Sequence, residues 1–137
     1  MEIVVLIIAL ALVFDFYNGM NDAANSIATI VSTRVLTPFQ AVAWAAFFNF
    51  VAFGVSVATM IGKGIVDVDI VDNYVIFSGI AGAIILTASA THLGLPISVS
   101  HAIIGGYGGA ALLKGGIAAI IISGYTKVLL FIFLAPI

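Results

Sequence analysis

Long apolar blocks, separated by short stretches that contain Pro, Gly or charged residues, dominate the chain. Five blocks can be distinguished: the first begins at residue 3, the next three cover residues 38–61, 74–93 and 96–113, and the last begins near residue 125. A bilayer-spanning helix needs about 20 mainly apolar residues. The pattern therefore predicts an all-α integral membrane fold with about five transmembrane or re-entrant helices.

The composition supports a membrane protein and argues against several other classes. Mean hydropathy is +1.33, 64% of the residues are hydrophobic, and the chain has only four Lys or Arg and six Asp or Glu. A formal net charge of −2 without a basic stripe argues against a nucleic-acid partner. The absence of Cys rules out disulfides and thiolate metal sites. Enzyme motifs such as G-x-S-x-G, H-E-x-x-H or a P-loop are also missing, so we expect neither an enzyme nor a cofactor.

One stretch interrupts this apolar pattern. Residues 14–26, FDFYNGMNDAANS, contain two Asp and three Asn directly after the twelve apolar residues 3–14. Twelve helical residues cover only about 18 Å of a hydrocarbon core about 30 Å thick, so the polar residues are predicted to lie inside the membrane. In a continuous helix, spacings of three and four residues align five side chains on one face, which we call the polar stripe: Asp15, Asn18, Asp22, Asn25 and Thr29. Gly19 is expected to allow a break in this helix.

Two interpretations of the polar stripe compete. Asn and Ser side chains often hydrogen-bond across packed membrane helices, which would make the stripe part of a helix interface. Two intramembrane carboxylates instead favour an ion or transport site, because an acidic side chain is costly in lipid unless it faces a cavity or a partner. We favour the transport site, with Asp22 as its most important residue.

A second polar motif lies in residues 93–109, LGLPISVSHAIIGGYGG. Pro96 is predicted in the first turn of a helix, where Ser98 and Ser100 add hydroxyl donors and His101 can add a donor or a proton. The free N–H groups and the dipole at such a helix end attract anions. An ordinary helix start followed by packing glycines would give the same pattern. Together with the polar stripe, the motif indicates an anion site coupled to a cation or a proton.

Both motifs resemble the two signatures of the inorganic phosphate transporter (PiT) family. The stretch NGMNDAAN is similar to the first signature, Gly-x-Asn-Asp-x-Ala-Asn, and the matching residues are Gly19, Asn21, Asp22, Ala24 and Asn25. The stretch LGLPISVSH is similar to the second signature, and the matching residues are Pro96, Ser98, Ser100 and His101. The resemblance covers essentially the whole chain, with the two motifs in the family's order.

The resemblance implies a function and a set of site residues. It implies symport of inorganic phosphate with sodium or a proton, through two inverted repeats. The coupling cation would be bound by Asp22, Asn21 and Asn25, and no other metal is expected. The substrate-binding residues would be Asn25, Ser98, Ser100 and His101.

Only one copy of the first signature is present. Residues 1–137 are therefore expected to form a single membrane domain, the N-terminal repeat and one half of an inverted-repeat transporter, with the chain stopping inside its fifth helix. The partner would be a second repeat or, alternatively, another copy in an antiparallel homodimer. The expected location is the plasma or inner membrane, as a multi-pass protein. A sulfate permease of the same family remains an alternative, and so does a channel or structural membrane subunit.

Overall fold

A computed structural model describes residues 1–51 and 64–134 of the chain. Within these residues it is all-helical, with five α-helices and one turn of 3-10 helix between the last two. The helices are α1 (Glu2–Ser32), α2 (Pro38–Val51), α3 (Asn73–His92), α4 (Val99–Gly115), the 3-10 turn (Ile117–Ala119) and α5 (Ile122–Leu134). The expected all-α fold with about five helices is thus confirmed.

Two of these helices are long and apolar enough to span a bilayer. They are α1, with 31 residues and a mean hydropathy of 2.2 in its most apolar window, and α3, with 20 residues and 1.7. The described parts of α2 and α5 are shorter apolar helices. Many large apolar side chains are exposed, for example Leu12 (65%) and Phe16 (67%) on α1. Such a surface suits lipid, since soluble monomers rarely expose contiguous apolar patches of this kind.

Some predicted boundaries need correction. α1 is one continuous helix through Gly19, so the expected break is wrong. Pro96 lies outside α4, which begins at Val99 with Ser98 as its N-cap; the hydroxyl of Ser98 satisfies a first-turn amide, and the helix starts there for that reason. α5 begins at Ile122, three residues before the predicted start. The predicted end of the second block at residue 61 lies outside the described residues, as do the last three residues of the chain.

α3 and α4 pack against each other through direct backbone contact. A Cβ atom added to Gly79 would lie 2.8 Å from the Cα atom of Tyr107, and one added to Gly106 would overlap the carbonyl oxygen of Gly79. Small residues at these positions let two backbones come into direct contact, which is the usual way that membrane helices maximise dispersion contacts. Five residues of α3 and five of α4 are buried.

A buried cluster ties the start of α3 and the end of α4 to the loops beside them. Its members are Ile65, Val66, Val75, Tyr107, Ala111 and Ala119. Residues 65–67 pair antiparallel with residues 119–121, at the end of the 3-10 turn: the Asp67 N–H donates to the Ala119 carbonyl at 2.9 Å, and the Ile121 N–H donates to the Ile65 carbonyl at 3.0 Å. The loop before α3 is therefore held in place by main-chain hydrogen bonds.

Candidate functional site

The polar stripe divides into an exposed part and a half-buried part. Asp15, Asp22 and Asn25 are exposed, whereas Asn18, on the same face, is half-buried. None of the 31 residues of α1 is fully buried. Within residues 1–51 and 64–134, neither Asp15 nor Asp22 forms an ion pair. The two carboxylates are therefore accessible in the described structure, as a site for a ligand or a partner requires.

Asn21 joins α1 to α3. Its amide nitrogen donates to the carbonyl oxygen of Tyr17 at 2.9 Å and to the Thr91 hydroxyl on α3 at 3.1 Å. The Thr91 hydroxyl lies 2.7 Å from the Thr87 carbonyl oxygen and 3.4 Å from the Asn21 Oδ1 atom. Because a hydroxyl has one proton, the shorter contact is the one it donates to. Asn21 thus has a role in helix packing, and its Oδ1 atom keeps an acceptor position free.

Two buried polar atoms have no hydrogen-bond partner among the described residues. They are the Oδ1 atom of Asn18 on α1 and the Oγ1 atom of Thr87 on α3. Thr87 is 0% exposed. Unpartnered buried polar atoms are uncommon and costly, so each calls for a physical explanation.

The start of α4 presents a cap and a first turn with free amides. The Ser98 hydroxyl accepts the His101 N–H at 3.4 Å, and the Ala102 N–H donates to the Ser98 carbonyl at 3.0 Å. Val99 and Ser100 are the first two residues of α4, so their N–H groups have no carbonyl partner within the helix. Ser98, Ser100 and His101 are all exposed. The helix start can therefore offer two main-chain N–H groups and several side-chain donors to an anion.

The two predicted groups of site residues lie on helices that pack against each other. α1, which carries Asp22 and Asn25, contacts both α3 and α4. Among the described residues no hydrogen bond or ion pair joins the α1 group directly to Ser98, Ser100 or His101. A ligand between them would have carboxylate and amide oxygens on one side and N–H and O–H donors on the other. This arrangement suits a bound cation together with an anion.

A carboxylate outside the polar stripe has a clear structural role. Asp72 caps α3 by accepting the Val75 N–H at 3.0 Å, and its Oδ2 atom lies 2.6 Å from the Lys114 Nζ atom. The hydrogen bond from Lys114 and the cap lower the pKa of Asp72 below its usual value. This ion pair links the start of α3 to the end of α4, so Asp72 and Lys114 are not candidates for a transport site.

Sequence reasoning missed Thr91 as a residue of the α1–α3 interface and Thr87 as the buried polar residue one turn before it. Two Thr residues spaced by four in the third apolar block share one helix face, and this was the available signal. It was weak, because a lone Thr in a membrane helix usually hydrogen-bonds to its own backbone, as Thr91 does with the Thr87 carbonyl.

Comparison with known proteins identifies the family. A model of the phosphate transporter family matches residues 18–137, which include both motifs. The chain belongs to the phosphate transporter family. This family consists of membrane transporters and not of enzymes, in agreement with the prediction from the sequence, and the apolar helices α1 and α3 fit a membrane protein.

Individual relatives agree with this assignment. A probable low-affinity inorganic phosphate transporter of Rhizobium meliloti is 55% identical over 124 residues, covering 88% of this chain and 37% of the relative. Another, of Bacillus subtilis, is 44% identical over 140 residues, covering 97% of this chain and 41% of the relative. A solved structure described as the sodium-dependent phosphate transporter has a TM-score of 0.92 at 34% identity, covering 99% of this chain and 36% of that one. The chain thus spans about two fifths of the length of these relatives.

Proposed function

We propose that this chain is the N-terminal repeat of a cation-coupled phosphate symporter and supplies one half of its substrate site. Family membership and the relatives named as inorganic phosphate transporters support phosphate as the substrate. The solved neighbour, described as sodium-dependent, favours sodium over a proton as the coupled ion. The second half of the site comes from a second repeat of the complete protein, a multi-pass protein of the plasma or inner membrane.

One observation carries the proposal. The Asp22 carboxylate is exposed on a mainly apolar helix and has no ion-pair partner in the described part of the chain. Mainly apolar residues flank the polar stretch on both sides, from residue 3 to residue 14 and again at residues 27–31. A carboxylate in such a helix is expected to face a cavity, an ion or another protein element, because lipid cannot solvate it.

Each site residue has a role that its chemistry allows. The Asp22 carboxylate and the side-chain oxygens of Asn21 and Asn25 bind the cation, since hard cations prefer oxygen ligands. The Asn25 amide group also reaches the anion.

On the other side, Ser98, Ser100 and His101 donate hydrogen bonds to phosphate oxygens, together with main-chain N–H groups of the first turn of α4. The bound cation offsets the repulsion between phosphate and Asp22, so that neither binds well without the other. Coupling follows from this electrostatic requirement.

The experiment is phosphate uptake into proteoliposomes that contain the complete protein, with and without an inward sodium gradient. Asp22→Asn keeps the size of the side chain and removes its charge, so we expect uptake to fall by about 10- to 100-fold, the cost of losing a charged ligand. The matched control is Asp69→Asn, in the exposed loop before α3, which should transport normally. Normal uptake by Asp22→Asn would overturn the proposed mechanism.

Two further arms address the alternatives. Competition by sulfate should be weak if phosphate is the substrate, whereas strong competition would indicate a sulfate permease. The 137-residue chain alone should not transport, because it holds one half of the site. Uptake by this chain alone would show that two copies complete the site as a homodimer.

A further inference from the structure

Tyr125 connects α5 to the middle of α4. Its hydroxyl donates a hydrogen bond to the carbonyl oxygen of Ile104 at 3.0 Å, and the residue packs against the buried cluster that contains Tyr107. Within residues 1–51 and 64–134 no other hydrogen bond joins these two helices. The polar contact between α5 and α4 therefore depends on a single hydroxyl group.

Gly108 provides the space that this hydroxyl occupies. A Cβ atom at position 108 would overlap the Tyr125 hydroxyl oxygen, whereas a Cβ atom at Gly105 or Gly109 would meet no atom within 4 Å. The Ile104 carbonyl already accepts the helical N–H of Gly108, four residues later, so the hydroxyl uses its second lone pair. Among these three glycines, Gly108 is therefore the one whose missing side chain lets Tyr125 reach the backbone of α4.

The first turn of α5, which carries Tyr125, is itself fixed. The Ile121 N–H, just before α5, donates to the Ile65 carbonyl at 3.0 Å. Gly124 is buried, and a Cβ atom there would overlap the carbonyl oxygen of Gly64. Because the chain is held against residues 64 and 65 on this side, the Tyr125 side chain extends to α4 from a firm base.

α4 is thus held from two sides. Its contact with α3 runs through Gly106, where an added Cβ atom would overlap the Gly79 carbonyl. At about 100° per residue, Gly106 lies about 160° around the helix from both Ile104 and Gly108. α3 and Tyr125 therefore contact nearly opposite faces of α4, and together they determine its sideways position and its rotation.

This contact lies close to the candidate phosphate-binding residues. Ile104 follows His101 by three residues, which is about 4.5 Å along α4. The exposed side chains of Ser98, Ser100 and His101 move with this end of the helix, because they belong to its cap and first turn. A hydrogen bond one turn away therefore affects where these donors lie.

We propose that Tyr125 is a positioning residue for phosphate: the hydrogen bond from its hydroxyl to α4 holds the start of that helix where Ser98, Ser100 and His101 can bind the anion together. Tyr125 acts through the α4 backbone and does not itself contact the anion. The inference deepens the proposed function and rests on it for the identity of the substrate. Displacing several donors weakens all of their hydrogen bonds at once, since each depends on distance and angle. The loss should therefore appear in the affinity for phosphate.

The test measures phosphate uptake by the complete protein in proteoliposomes at saturating sodium. Tyr125→Phe removes only the hydroxyl, so the phosphate KM should rise by about 5-fold, the equivalent of one ordinary hydrogen bond. The maximal rate per folded molecule and the sodium concentration for half-maximal uptake at saturating phosphate should stay unchanged. The matched control is Tyr74→Phe on α3, which should behave as wild type: Tyr74 is 70% exposed, and its hydroxyl has no hydrogen bond in the described part of the chain.

A second pair of variants tests the space that the hydroxyl uses. Gly108→Ala puts a methyl group where the hydroxyl lies, so it should raise the phosphate KM about as much as Tyr125→Phe does, whereas Gly109→Ala should not. In the Tyr125→Phe background, Gly108→Ala should have a smaller effect than in the wild type, because the hydrogen bond is already absent.

A lower unfolding midpoint of Tyr125→Phe with an unchanged phosphate KM would overturn the inference, because Tyr125 would then only stabilise the fold. Additive effects of Gly108→Ala and Tyr125→Phe on the phosphate KM would overturn it as well. If Asp22→Asn abolishes uptake while Tyr125→Phe keeps the wild-type phosphate KM, only the positioning role is wrong. If Asp22→Asn transports normally while Tyr125→Phe raises the phosphate KM, the proposed cation mechanism is wrong and the positioning role stands.

Discussion

The helix α1 and the α3–α4 pair differ in how much of their surface the chain itself covers. None of the residues of α1 is buried, whereas α3 and α4 each bury five. The buried residues of α3 are Val75, Gly79, Ala83, Thr87 and Ala90, a row spaced by three or four along one face. This face is largely composed of small residues, which permits the close contact with α4.

This difference distinguishes the α3–α4 pair, which holds the fold together, from α1, which carries the charged residues of the candidate site. The α3–α4 pair is held by direct backbone contact, and it positions Ser98, Ser100 and His101 at the start of α4. α1 carries the charged residues and meets the pair through polar contacts, chiefly Asn21 with Thr91. Substitutions in the pair should therefore affect folding, and substitutions on the exposed side of α1 should affect transport.

The largest effect on stability is expected at the α3–α4 contact. Gly106→Ala places a Cβ atom against the Gly79 carbonyl, where only a backbone shift can make room, and should lower the free energy of unfolding by about 1–3 kcal/mol. Gly105→Ala is the matched control: its Cβ meets no atom within 4 Å, and alanine favours a helix, so we expect no loss of stability. The measurement is the thermal unfolding midpoint of the complete protein in detergent. Equal midpoints for the two variants would show that the pair is not closely packed.

A smaller effect is expected at the contact between α1 and α3. A double-mutant cycle with Asn21→Ala and Thr91→Val should give a coupling energy of about 0.6 kcal/mol, the average for hydrogen bonds between membrane helices. The same cycle with Asn25→Ala in place of Asn21→Ala should be additive, because Asn25 has no bond to Thr91. Chemical unfolding of the complete protein in detergent provides the free energies. A coupling energy of zero for Asn21 and Thr91 would mean that this hydrogen bond does not hold α1 in place.

The sequence predicted the number and approximate position of the helices because apolar length alone determines them. It placed α3 within one residue at each end, between polar or glycine-containing loops. It was wrong at Gly19, where the surrounding helix residues outweigh one glycine and α1 continues. It was also wrong at Pro96, because the N-cap hydroxyl of Ser98 determines the start of α4.

The candidate site was predictable only in part. Asp22, Asn25, Ser98 and Ser100 were named from intramembrane polarity and from the family motifs, and their roles stay predictions. The division of the polar stripe was not predictable, since it depends on which face of α1 meets α3. Asn21 hydrogen-bonds to Thr91 on that helix and Asn18 is half-buried, while Asp22 is exposed. Helical periodicity predicts which residues share a face of α1. Which of these residues contact another helix depends on how the helices pack, and the sequence pattern does not show this.

The smallest effect is expected at Asp72, which stabilises the end of the α3–α4 pair. Hydrogen bonding from Lys114 lowers its pKa, so the folded protein binds a proton there less readily than the unfolded chain. The stabilisation is complete above the unfolded pKa of about 3.9 and is lost as the pH falls through the lower folded pKa. Asp72→Asn should therefore lower the unfolding midpoint slightly at pH 7 and leave it unchanged near pH 2, and high salt should reduce the difference. Asp69→Asn is the control, because Asp69 has no ion pair among the described residues. If both variants showed the same pH profile as the wild type, the Asp72–Lys114 pair would contribute nothing, and backbone packing alone would hold α3 against α4.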